Sequence, residues 1–118
     1  MTYKEPDISV CTIDDYPIPL AGPPEGYRLD VNLWSYRKRI VRFAISLTAG
    51  PDQGSIERID TCHGQIHRHS FDRSGDETEC HLYEEIPDWG WVFVDRAYTH
   101  YYELAVRYWP EWVRRWAQ

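Results

Sequence analysis

Twelve residues, Arg58-Ile59-Asp60-Thr61-Cys62-His63-Gly64-Gln65-Ile66-His67-Arg68-His69, hold three of the chain's five histidines, with two arginines, an aspartate and a cysteine. Histidine titrates near neutral pH, so two imidazoles can give and take protons without strong tuning. Arginine offers a planar fork that matches phosphate oxygens. Cleavage of RNA needs no more than these parts, because the 2′-OH supplies the nucleophile.

Three chemistries fit the segment. In the first, His67 or His69 is a general base and a second histidine, His63 included, a general acid. Asp60 then orients one imidazole and stabilises its charged form, while Arg58 and Arg68 hold phosphate. In the second, His63, His67 and His69 ligate zinc or another divalent metal through their H-x-x-x-H-x-H spacing, with Asp60 or His81 as a further ligand. In the third, the same groups form a hydrogen-bonded cluster that fixes a hairpin and does no chemistry.

Other candidates carry less. Cys62 reads as a solvated or half-buried loop thiol, with a reactive thiol as the alternative. Cys80-His81 offers a ligand or acid from a later strand. His100 lies among Arg96, Glu103 and Arg107 at helical spacing, the pattern of a solvated helix face.

Strands and a helix must position these groups. Tyr27, Leu29, Val31 and Leu33 alternate with polar residues, and so do Val41, Phe43, Ile45 and Leu47. Period two predicts two strands, each with one buried face, paired antiparallel across a turn at Ser35–Lys38. Ser55–Asp60 and Gln65–Phe71 predict two more, and Glu77–Glu84 a fifth. With a four-residue loop, Thr61-Cys62-His63-Gly64, Arg58 faces His67 and Asp60 faces Gln65. Ile59 and Ile66 then point to the core, leaving Arg58, Asp60, His67 and His69 as a polar row.

Asp88 is a candidate helix N-cap after Pro87. Val94, Tyr98, Tyr101 and Leu104 form an apolar stripe that predicts a helix over 91–108, stopped by Pro110, with a short helix after it. Trp109, Trp112 and Trp116 read as anchors to the core, or as a partner surface. Residues 1–26 hold five of the eight prolines, so an extended arm without regular structure is expected, with Ile8, Val10, Ile13, Ile18 and Leu20 available to pin it. The fold class expected is α+β: an antiparallel meander of four to five strands covered on one face by a C-terminal helix, in a single domain over residues 27–118.

Composition limits the functions. The formal charge of −6 over 118 residues lacks the broad positive field of a non-specific DNA binder. Three cysteines without a C-x-x-C pair point away from a disulfide framework and towards a reducing compartment. The N-terminus has no secretory h-region, and no apolar run would span a membrane. A cytoplasmic protein without membrane association is expected.

The run Arg58-x-Asp60-x-x-His63-Gly64-x-x-His67, following two alternating strands, resembles a family of small bacterial and phage proteins with an R-x-D-x-x-H-G-x-x-H hairpin. More loosely, it is similar to the TumE-like toxins of toxin–antitoxin pairs, over about residues 27 to 75. TumE-like members carry adjacent histidines near the first motif position, where this chain has Cys62-His63. The resemblance picks out Arg58, Asp60, His63, His67 and His69 and implies a toxin-like protein; joined to the acid–base and phosphate-binding reading of those residues, the expectation is a ribonuclease controlled by a protein partner, an antitoxin or a host target. The other functional class open to the chain is a non-catalytic binding protein, such as an antitoxin or a phage-encoded inhibitor.

Overall fold

Five alternating segments pair edge to edge in chain order, and a sixth strand comes from the proline-rich arm. The structure is a computed structural model that describes residues 3–20, 26–49 and 54–118. Its strands are β1 (Thr12–Pro19), β2 (Tyr27–Tyr36), β3 (Arg39–Ala49), β4 (Ser55–Cys62), β5 (Gln65–Phe71) and β6 (Glu77–Glu85), followed by one helix, α1 (Trp91–Ala117). All neighbours are antiparallel, in the order β1 to β6. The fold is α+β as expected, but the sheet has six strands rather than four to five.

The extra strand corrects the reading of the N-terminal arm. Pro17 and Pro19 pair with Asp30 and Arg28 of β2 from an edge position, where a missing N–H breaks no second ladder. Before it, a 3₁₀ turn at Ile8–Val10 is capped by Asp7, whose carboxylate accepts from Ser9 N at 3.0 Å. Ile18 and Leu20 pack against the core, whereas Ile8, Val10 and Ile13 are exposed. The principal pin is Tyr3, which is buried and donates its hydroxyl to the Val41 carbonyl at 2.9 Å. Its ring sits against Gly90, where any Cβ would collide with it. Pro23 and Pro24 of the arm, and residues 50–53 between β3 and β4, lie outside the described residues.

One face of the sheet carries the core. Leu29, Val31, Phe43, Ile45, Leu47, Ile59 and Ile66 lie beneath Val94, Tyr101, Ala105, Trp109, Trp112 and Val113 of α1. Tyr98 and Leu104, expected in the buried stripe, are only partly buried. The helix starts after Gly90, not at an Asp88 cap, and runs through Pro110 without a break. Pro110 and Val106 are both exposed, so the proline lies on the solvent side of α1, while buried Trp109, Trp112 and Val113 hold both halves on the sheet. All three tryptophans therefore contribute to packing, Trp116 against the core margin.

Two turns use left-handed backbone at both of their central residues. Arg37 and Lys38 (φ 52° and 65°) close β2–β3, and His63 and Gly64 (φ 53° and 76°) close β4–β5. Positive φ at both central positions gives the turn whose twist matches the flanking strands. A two-residue loop replaces the expected four-residue one because Thr61 belongs to the sheet. It is buried opposite Ile66, and its Oγ1 accepts from Phe43 N at 3.2 Å.

Candidate functional site

The shorter loop shifts every β4–β5 pair by two residues. Asp60 faces His67 and Arg58 faces His69, in place of the expected Arg58–His67 and Asp60–Gln65 pairs. A shift of two preserves the side-chain period, so the composition of each face survives. Arg58, Asp60, His67 and His69 do share a face, the one opposite α1. Ile56 departs from that alternation: β3 pairs Leu47 with Glu57 and Thr48 with Ser55, so Ile56 is the extra residue of a bulge and turns inward.

Asp60 is the hub of this row. Its Oδ2 accepts from Arg58 Nε at 3.0 Å, and its Oδ1 lies 3.0 Å from His69 Nε2. The other ring nitrogen of His69, Nδ1, lies 2.7 Å from Glu77 Oε1 on β6. The His67 ring sits 5.8 Å from that of His69, and its Nδ1 is buried with no hydrogen-bond partner among the described residues. Arg58 is steadied by the Phe71 ring, 5.6 Å from its Cζ. The side chains of His69 and Asp60 are 14% and 17% exposed, largely shielded from solvent.

One ligand atom from each of Asp60, His67 and His69 lies within 4.8 Å of the others. Ligands of one tetrahedral zinc at 2.0–2.1 Å are about 3.4 Å apart, so closure needs movements of only about 1 Å. Two histidines and one carboxylate leave coordination positions open. Glu77 on the far nitrogen of His69 is the partner that commonly fixes the tautomer of a metal-binding histidine.

The other expected residues are placed elsewhere. His63 sits exposed at the hairpin tip, where it lines a cavity with Tyr3 and Glu5, and takes no part in the cluster. The H-x-x-x-H-x-H convergence is therefore replaced by Asp60-His67-His69. Arg68 alternates with His67 and His69 and so lies on the helix side, where its Nη1 donates to Tyr83 Oη at 3.3 Å. It cannot share a phosphate with Arg58 through the sheet. His81 also lies on the helix side, against Tyr83. His100 is exposed on α1 beside Tyr101, and Arg96, Glu103 and Arg107 are exposed as well. Cys62 is half-buried, and burial, followed by the Asp60 charge, pushes its thiol up, which opposes a reactive thiolate. Cys80 is exposed, opposite His69.

Glu77 escaped the sequence reading. Glu77 pairs with Phe71, next to His69 along the same face, and the bulge at Thr78 puts Cys80 rather than Glu79 opposite His69. No helix among the described residues is long and apolar enough to cross a membrane. No protein-family model, curated protein or solved structure matches the chain.

Proposed function

We propose that the uncovered sheet face is a metal-assisted phosphodiesterase site acting on RNA. The observation behind this reading is the convergence of Asp60, His67 and His69 on one small volume, beside Arg58. A divalent ion held there would lower the pKa of bound water and polarise a phosphoryl oxygen. Asp60, His67 and His69 would hold it, Glu77 would orient His69, and the guanidinium of Arg58 would receive a phosphate. A metal-free exchange of protons between His67 and His69 fits less directly. Both nitrogens of His69 already meet carboxylates, so it must leave one of them before it can reach substrate.

The test is cleavage of a single-stranded RNA oligonucleotide by purified protein, with elemental analysis and a chelator arm. About one equivalent of metal per chain is expected, with cleavage lost on chelation and in His67→Ala. Cleavage that persists after chelation in metal-free protein would overturn the metal role and favour the acid–base pair.

A second reading, a protein-binding module, is favoured by one observation. Ile8, Val10, Ile13 and Tyr16 are all exposed on or just before the edge strand β1. An edge strand with exposed apolar side chains suits a partner that adds a strand. Expression in cells separates the two: growth arrest by wild type but not by His67→Ala supports a toxin-like enzyme, whereas no effect from either supports the binding protein.

A further inference from the structure

The helix side of the sheet holds a second concentration of positive charge. Arg68 projects from β5 into a cavity of about 540 Å³ between the sheet and the C-terminal half of α1. Arg114 and Arg115 of α1 line the same cavity, with the rings of Tyr83, Tyr108 and Trp112. The Arg68 guanidinium carbon lies 5.8 Å from the Tyr83 ring centre and 6.0 Å from that of Trp112. Its Nη1 reaches Tyr83, but its Nε is buried without a hydrogen-bond partner among the described residues.

A buried guanidinium N–H without an acceptor is unfavourable, and an anion in the cavity would relieve it. The nearby carboxylates do not serve this N–H. Glu57 uses one oxygen, Oε1, both to accept from Ser70 at 3.0 Å and to meet Arg115 at 3.5 Å, its buried Oε2 has no hydrogen-bond partner among the described residues, and Glu111 is exposed on α1 at the margin. In a chain of net charge −6, three arginines against one lining glutamate is a local reversal of sign.

From this geometry we infer that the cavity binds a nucleotide: a phosphate monoester carried by a flat ring. Arg68 and Arg114 meet the phosphate, with Arg115 shared between it and Glu57. The aromatic lining takes the base, since stacking on aromatic side chains accepts any base. The volume lies within the usual range of small-molecule pockets. This site is separated from the Asp60-His67-His69 cluster by the sheet, and it stands whether or not that cluster is catalytic.

Calorimetric titration with adenosine monophosphate, adenosine and inorganic phosphate tests the inference. Saturable binding of adenosine monophosphate tighter than about 1 mM is expected. Adenosine and inorganic phosphate should each bind at least tenfold more weakly. Arg68→Met should abolish binding while Arg73→Gln, outside this cavity, leaves it unchanged. Should Arg68→Met fail to fold, exposed Arg114→Gln carries the test, with binding about tenfold weaker. A 5′-phosphorylated oligonucleotide that binds more tightly than the mononucleotide would identify an RNA end as the source of the same chemistry. No saturable binding of either, equal binding of adenosine, or full binding by Arg114→Gln would overturn the inference.

Discussion

His69 Nδ1 lies 2.7 Å from Glu77 Oε1, on the side of the imidazole away from Asp60. The contact crosses from β5 to β6 and fixes the ring so that Nε2 points at Asp60, 3.0 Å away. Loss of such an outer carboxylate typically costs 10–100-fold in metal affinity. Glu77→Gln should therefore weaken zinc binding by about that factor, measured by competition with a chromogenic chelator. Glu77 is half-exposed, so the variant should melt near the wild-type temperature. Unchanged zinc affinity would remove Glu77 from the site.

Glu57 gives a pH-dependent prediction. It is buried at the helix side of β4, and burial raises its carboxyl above the ordinary range. The Ser70 hydrogen bond and the charges of Arg68 and Arg115 pull the other way without cancelling the effect. The folded state therefore holds this proton more tightly than the unfolded state. Its favourable contribution is present at low pH and is lost as pH rises through the folded pKa. Glu57→Gln, which keeps an acceptor for Ser70, should melt higher than wild type at neutral pH, and the difference should shrink as pH falls towards the ordinary carboxyl range. A gap that is constant across pH would contradict the burial argument.

Core truncations should rank by burial. Phe43 is fully buried and meets the rings of Tyr98 and Tyr101. Phe43→Ala should cost about 3–5 kcal/mol by denaturant unfolding. Leu104 is only partly buried at the margin of a cavity. Leu104→Ala should cost less than about 2 kcal/mol, because water already reaches part of the side chain.

Pro110 interrupts the hydrogen-bond ladder of α1 at an exposed position. Proline inside a helix costs about 3 kcal/mol relative to alanine, offset by about 0.4–1 kcal/mol of reduced unfolded-chain entropy. Pro110→Ala should stabilise the protein by about 2 kcal/mol, seen as a higher Tm. A lower Tm would mean that the proline ring makes packing contacts that outweigh the missing bond.

Much of this molecule was legible in its sequence. Alternation at Tyr27–Leu33 and Val41–Leu47, and the runs after Ser55, Gln65 and Glu77, determined five of the six strands, because a strand half-buried by one covering layer imposes period two. The same period placed Arg58, Asp60, His67 and His69 on one face even though the loop length differed by two, since an even shift leaves the faces intact. Tertiary structure decided the rest. Proline counts could not reveal β1, because an edge position excuses the missing N–H only once β2 is beside it. Pro110 could not be read as helical without knowing that it lies on the solvent side of α1 and that Trp109, Trp112 and Val113 clamp the helix. The bulges in β4 and β6 turned Ile56 inward and put Cys80 rather than Glu79 opposite His69, and a bulge depends on packing across strands rather than on local residue type. The segregation of Arg68 from Arg58 lies between these cases: alternation puts Arg58 in the polar row and Arg68 on the side of Ile66, but only the position of α1 shows that Arg68 meets an aromatic cavity.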